Sequence, residues 1–413
     1  GTETMAIYGT TLHVVGDQLS ANAPHLNGSG FYYNAAATRP FWARFNKDTG
    51  VLLHSTNIAG HSSSLPSIAV SPTGLVAIIL HTYDWGVPAG QIVNRAGAYN
   101  QATNGGFTDI FLMLFNASYS QTWGTFIGGP GTSEDCHVTF DANNNIFFTA
   151  DVSWLSGSTA ANEKLVNPGG GAYYQSANAS EDITIGKFTS AGVMYWHTLY
   201  GGNAYDGIRS RMGNGTRVII HPTTQELIVI GGTNSNNLPL LTLSGAYNVT
   251  CPSNINSSGS SFSDFGSFIL KFSNNGVRNW STYWGGDPNN GDLLYNAKFV
   301  ACDKFILCAR AYYNPISYPG YYNQATGQQS FLMQMDNNFA AEWSSYIGIN
   351  TSVPKISYTP YQTRLYLTTQ TYSQAETTLN PGGGAYFDDS FTGPHYAAYY
   401  ITEFSISAAP PAV

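Results

Sequence analysis

The chain has 413 residues, a net charge of −8 and a pI of about 5.5, with 43% hydrophobic but only 10% charged residues. A core can therefore be built and wholesale disorder is excluded. The acidic balance and the absence of any Lys/Arg run exclude a nucleic-acid partner or an anionic membrane as the expected one. No apolar stretch approaches the roughly 18 residues of a membrane span, so no membrane insertion is expected.

Gly (44), Tyr (28) and Phe (22) are abundant, a mixture of turn formers and aromatics that reads as all-β. Residue 1 is Gly, so the numbering is expected to begin after a removed leader or inside a longer gene product.

In chain order, the first predicted element is the hairpin MAIYGTTLHVVGD at 5–17. A strand RPFWARF follows, ending at Phe45, and then HSTNIAG. The hairpin SIAVSPTGLVAIIL comes next, then DIFLMLF to Phe115 and WGTFIGG. The same succession continues with CHVTFDANNNIFFTA, DITIGKF and WHTLYGG, and then with RVIIHPTTQELIVIGG, GSFILKF and WSTYWGG. It closes with AKFVACDKFILCA, QSFLMQM and WSSYIGI, and finally KISYTPYQTRLYLTT and AYYITEF to Phe404. Alternating apolar residues around Pro-Thr, Asn-Asn or Asp-Lys turns are hairpin signals.

A G-x-Y element precedes each third strand, at Gly30, Gly97, Gly171, Gly245, Gly320 and Gly384, with spacings of 67, 74, 74, 75 and 64 residues. Such a period decides the architecture. Eight residues past four of the strand anchors stands a tryptophan: Trp123, Trp196, Trp280 and Trp343. His54 takes that place in the first unit, and Thr or Ser follows two residues later in all five (Thr56, Thr125, Thr198, Thr282, Ser345).

Four strands per unit, six units and no helical period predict a six-bladed β-propeller of four-stranded antiparallel blades. It is expected as one domain, 1–413, with blades near 1–60, 61–129, 130–202, 203–286, 287–348 and 349–413. The heptapeptide NPGGGAY, present at Asn167–Tyr173 and Asn380–Tyr386, is then a corner entering the third strand of two blades. Neither copy opens a helix, so a phosphate loop is disfavoured.

In the sixth unit the tryptophan place falls on Ala412, and the intervening SISAAPP carries two prolines that cannot donate to a ladder. That blade is expected to lack its outer strand. Its edge, with Tyr399, Tyr400, Ile401 and Phe404, is the expected contact for another subunit, the chain itself included.

GAY, DIFLMLF, WGTFIGG and HVTFDANNNIFFTADV together resemble the SBBP-type β-propeller repeat of secreted and surface-exposed bacterial proteins, over nearly the whole chain. The resemblance implies that the V-x-x-D-x-x-x-N hairpin supplies inner strands A and B, the G-x-Y corner leads into C, and the Trp strand is the outer D. Members are often modules of cell-surface proteins, adhesins included. The family name implies seven blades, from which this chain departs with six.

Candidate chemistry is sparse. The repeated tryptophans suit either packing or a sugar platform, and recurrence at one blade position favours packing. Asp135, Asp206 and Asp292 follow G-G or its equivalent after strand D, where acids cap turns or bind Ca²⁺; the turn reading is favoured because AGHSSS and GINTS lack an acid. The histidines, with His54, His137 and His221 on strands or turns, show no H-x-x-x-H spacing, and the cysteines form no C-x-x-C.

No G-x-S-x-G elbow and no sialidase-type Asp box occurs, and the inner strands offer only Asp141 as an acid. Cys302 and Cys308 face a hairpin turn but are offset rather than opposite. Eight sequons, at Asn27, Asn116, Asn178, Asn214, Asn248, Asn256, Asn279 and Asn350, are candidate glycosylation sites.

The expectation is thus a non-catalytic extracellular or cell-surface module, structural or adhesive, without cofactor or metal. The alternative is a carbohydrate-binding or carbohydrate-processing propeller that contacts surface glycans.

Overall fold

Apolar alternation on either side of short turns folds into 23 strands in the computed structural model. It describes residues 4–16, 25–27, 31–34, 40–58, 66–82, 87, 89–153, 164–177, 180–207, 215–253, 255–258, 264–285, 292–300, 304–311, 324, 329–347, 351–359, 364–371 and 398–405. Among the described residues the one helical element is a 3-10 turn at Ala89–Gln91. No helix there is long and apolar enough to cross a membrane.

The fold is a six-bladed all-β propeller. The first sheet is β1 (Met5–Tyr8), β2 (Thr11–Gly16), β3 (Phe41–Asn46) and β4 (Leu52–Asn57), in that order. The second is β5 (Ser67–Val70), β6 (Val76–Thr82), β7 (Asp109–Phe115) and β8 (Gln121–Ile127). The third is β9 (Thr132–Phe140), β10 (Ile146–Ser153), β11 (Glu181–Phe188) and β12 (Met194–Tyr200).

The fourth sheet is β13 (Arg217–Ile220), β14 (Leu227–Thr233), β15 (Gly266–Phe272) and β16 (Arg278–Trp284), and the fifth is β17 (Leu293–Val300), β18 (Lys304–Ala311), β19 (Gln329–Met335) and β20 (Ala341–Tyr346). The sixth has three strands: β21 (Thr351–Thr359), β22 (Arg364–Thr371) and β23 (Ala398–Ser405). The expected shortfall of one strand in the last blade is thus found among the described residues. Residues 406–413, with both prolines, lie outside them.

The chain divides into two compact units, residues 1–241 with 269–281, and residues 242–268 with 282–413. In the first unit, strand β9 lies against β5 and β6 of the preceding blade. The core between them joins Ala77, Ile79, Leu112, Leu114 and Trp123 to Val138, Phe148 and Phe188. A matching core joins Trp42 and Val15 of the first blade to Ile78, Phe111 and Phe115 of the second. Every residue of β6 and β7 is buried, because each lies between neighbouring sheets.

Trp123, Trp196, Trp280 and Trp343 all stand on the last strand of their blades and are buried. They pack as the repeat predicts. The indole N–H groups of Trp123 and Trp196 donate to the carbonyls of Tyr99 and Tyr173, each at 2.9 Å. A buried indole needs such an acceptor.

The repeated tyrosine does more. Its backbone N–H donates to the turn between the last two strands of the next blade: Tyr32 to Tyr119, Tyr99 to Gly192, and Tyr173 to Gly276. In the second unit Tyr247 donates likewise to Phe339. All four accepting residues have positive φ, from 60° to 85°.

The first NPGGGAY therefore serves as a corner. Asn167 Oδ1 accepts from the N–H of Gly169 at 2.9 Å, and Gly169, Gly170 and Gly171 all sit at φ between 64° and 83°. A side chain there would meet nothing within 4 Å, so backbone conformation is what requires glycine. The second copy, and the G-x-Y glycines Gly30, Gly320 and Gly384, lie outside the described residues.

The repeated hydroxyl has an equally local reason. Thr56, Thr125, Thr198, Thr282 and Ser345 each accept a backbone N–H, from Asn34, Gln101, Gln175, Val249 and Gln324, at 2.7–2.8 Å. Each also donates to the carbonyl of the residue that follows it.

Candidate functional site

The third blade concentrates its acids at one end. Strand β9 begins there, β10 ends there and β11 begins there, so Glu134 pairs with Asp151, Ser153 with Glu181, and Val152 with Asp182. A bulge between Thr149 and Asp151 in this ladder coincides with Asp135 at φ 47°. After β12 the chain returns along this end, where Tyr205 bridges Glu181 and Asp206 bridges Thr233.

Asp135, Asp151, Glu181, Asp182 and Asp206 are all buried. Asp206 is held by Thr233 Oγ1, Ser235 Oγ and the N–H of Gly202. Asp182 accepts from Gln175 Nε2 at 2.7 Å through one oxygen, while its other oxygen has no partner. Asp151 accepts from Thr216 at 2.8 Å and likewise leaves one oxygen without a partner. Asp182 and Asp206 both crowd the α-carbon of Gly201, where a Cβ would stand 2.3 Å from one and 2.8 Å from the other.

Burial is the main force on these groups. It pushes Asp182 up to about 9, aided by the charges of Asp206 and Glu181. Burial likewise raises Asp206 to about 7 against the three hydrogen bonds that favour its ionised form. Asp151 is held well above the ordinary carboxylate range by burial and by the charges of Asp135 and Glu181. Asp182, raised to about 9, thus stands beside Asp206, which titrates near neutrality, the pairing that acid–base chemistry uses.

Two exposed aromatic rings stand at this end of adjacent blades. Phe107, 69% exposed, precedes β7 and donates its N–H to Gly131, just before β9. Tyr205, 42% exposed, lies beside Glu181.

Of the residues singled out in the sequence, Asp135 and Asp206 belong to this cluster, and Asp206 caps its turn as the structural reading had it. Asp292 is buried in the second unit. No group of three or more His, Cys, Asp or Glu among the described residues could hold a metal. Asp141 is instead a turn residue, accepting from the N–H groups of Asn143 and Asn145.

His54 and His137 are buried strand residues, and His221 accepts two turn N–H groups at 3.1 Å. Cys136, Cys251 and Cys308 form no disulfide among the described residues, and Cys302 lies outside them. Sequons at Asn27, Asn116, Asn248, Asn256 and Asn279 are described; those at Asn178, Asn214 and Asn350 are not. On β23, which pairs only with β22 among the described residues, Ile401 is 68% exposed and Phe404 half-buried. The side chains of Tyr399 and Tyr400 lie outside the described residues.

No family model and no curated protein matches the sequence. Similar solved structures include an ulvan lyase of a polysaccharide lyase family (8% identity, 90% of this chain and 77% of that one, TM-score 0.42). A protein of unknown function from Dyadobacter fermentans is another (8%, 95% and 91%, TM-score 0.45). A third is a Hadza microbial sialidase (9%, 80% and 60%, TM-score 0.40). Likeness at this level shows the fold alone.

The expectation that the chain is not an enzyme is corrected. The solved structures include polysaccharide lyases and a sialidase. Its physical ground also fails, since Asp141 is not the sole acid of the inner strands: β9 and β10 carry Asp135 and Asp151, and Asp182 joins them from β11. The sequence signal that could have found them is the Glu-Asp opening of a strand in a chain so poor in charge.

Proposed function

We propose that this protein is an extracellular carbohydrate-recognising propeller whose saccharide contact is the rim of the second and third blades. The observation that carries this reading is the pair of exposed rings, Phe107 and Tyr205, on the end where the acids cluster. Both rings expose apolar surface beside polar groups, and flat apolar faces flanked by polar groups suit sugar rings.

At the same end of the third blade, burial holds Asp182 up to about 9 and Asp206 to about 7. A carboxyl pair with pKa values pushed apart is the composition that saccharide cleavage employs. Screening the purified chain on a glycan array, with reducing-end release measured on every bound polysaccharide, tests the reading. Binding that falls at least about tenfold in Phe107→Ala and Tyr205→Ala supports it, a loss of roughly 1.4 kcal/mol. Binding unaffected by both substitutions, or none to any saccharide, contradicts it.

A second reading concerns assembly, and the three strands that the sixth sheet shows among the described residues favour it. A strand from a second copy adding to β23 would complete that blade in the pattern of the other five. An Ile401→Cys variant should cross-link to a second copy with a short reagent; a wholly monomeric product argues against the contact.

A further inference from the structure

The first blade buries a cation that no carboxylate among the described residues pairs with. Strands β2, β3 and β4 place His13, Arg44 and His54 directly opposite one another across the sheet. The corresponding row in the second blade is Ala77, Leu114 and Trp123, which is entirely apolar. The first blade has His54 in the tryptophan place and Arg44 in the middle of the row; the third blade has Lys187 in that middle place, beside Trp196, but there Asn274 serves the ammonium.

Arg44 is only 3% exposed. Its guanidinium carbon lies 3.7 Å from the ring centroid of Tyr119, 4.3 Å from that of Phe31 and 5.7 Å from that of Trp42. Tyr119 also hydrogen-bonds the guanidinium. Stacking against aromatic faces offsets part of the cost of burying the charge. It leaves the in-plane N–H groups unserved.

Nε and Nη2 of Arg44 are buried and have no hydrogen-bond partner, and no carboxylate among the described residues forms an ion pair with it. These two nitrogens lie on one edge of the guanidinium, the fork that receives a planar carboxylate through two parallel bonds. Among the described residues, Arg44 is the arginine for which both atoms of that fork are buried without a partner. His13, stacked on Trp42 at 5.9 Å, has both ring nitrogens without partners, and the Trp42 indole N–H is also free. Buried donors left this way are costly unless a ligand or water meets them.

We propose that the Arg44 box is a binding site for a carboxylate-bearing small ligand, seated on the Nε–Nη2 fork and flanked by Phe31 and Tyr119. His13 supplies a neutral donor beside it, its pKa held near 4 by burial and by the charge of Arg44. Phe31 and Tyr119, which border the guanidinium, are half-buried rather than enclosed. Tyr119 belongs to the turn between β7 and β8, at the opposite end of the blade from Phe107. The inference therefore stands apart from the sugar-rim reading.

The carboxylate can belong to a uronic sugar or to an acidic peptide, and two titrations separate these: d-glucuronate against d-glucose, and N-acetyl-aspartate amide against N-acetyl-asparagine amide. Saturable binding of either acid, followed by calorimetry and by Trp fluorescence, with its neutral partner inert, is the expected result. Arg44→Lys, which keeps the charge and loses the fork, should weaken it at least about tenfold. In the unaltered protein the Arg44 Nε–H resonance should move on addition of the acid, a readout independent of whether the variant folds. Neither acid binding, or binding with that resonance unmoved, overturns the proposal.

Discussion

The backbone N–H of Tyr99 donates to the carbonyl of Gly192 at 2.9 Å, stitching the second blade to the third. Tyr173 repeats the bond one blade on, to Gly276 at 2.8 Å. In four described blades the G-x-Y signature is thus a fastener to the next blade, and its acceptor is a residue with positive φ.

The acceptor position gives a sharp packing test. A Cβ on Gly276 would lie 2.8 Å from the Trp196 ring, at a φ of 85° that side chains rarely adopt. Gly276→Ala should destabilise the fold by about 1–3 kcal/mol, read by urea denaturation. Gly50, at φ 70° with nothing within 4 Å, provides the comparison: Gly50→Ala should cost less.

The repeated hydroxyl should matter through its bonds rather than its bulk. Thr198 accepts from Gln175 N–H and donates to the Leu199 carbonyl while fully buried. Thr198→Val removes both bonds at similar volume and should cost roughly 1–3 kcal/mol. Thr198→Ser should recover most of that loss, as Ser345 does the same work in the fifth blade.

Truncating Trp123 to Ala should cost about 3–5 kcal/mol, because the ring is fully enclosed between two blades. Trp123→Phe, which keeps part of the ring and loses the bond to Tyr99, should cost less. Thermal unfolding of the two variants in parallel checks the order.

The acid cluster predicts stability that favours low pH. Asp182 ionises near 9 in the folded chain against an ordinary 3.8, so the native state binds the extra proton between those values. Stability then falls as pH rises from about 4 towards 9, and Asp206 adds to the fall up to about 7. Asp182→Asn, which cannot ionise, should narrow the difference in unfolding free energy between pH 5 and pH 8.5 by on the order of 2 kcal/mol or more. An unchanged pH profile in that variant would remove Asp182 from the account.

Much of the fold was legible because each repeated residue has a local reason that recurs from blade to blade: the tryptophan packs in four blades, the hydroxyl ties a corner in five and the tyrosine stitches in four. The sites were less legible because they arise where registers and blades meet. Asp151 and Asp182 come together only through the pairing of β10 with β9 and β11, and the bulge at Asp135 shifts that pairing by a residue. Arg44 gains its character from Tyr119, 75 positions away in the next blade. His54 in the tryptophan place was the visible sign of that departure, read from the sequence simply as a strand residue.

The central claim is that the rim of Phe107 and Tyr205 receives saccharide. Its most direct test is a calorimetric titration of the best array-selected polysaccharide into the unaltered chain and into the Phe107→Ala/Tyr205→Ala double variant. Both rings are exposed, so the double variant should keep the unfolding temperature of the parent to within a few degrees. The account predicts saturable binding to the parent and a loss of about a hundredfold or more in the double variant, roughly 1.4 kcal/mol for each ring. Equal affinity in the two proteins would contradict it.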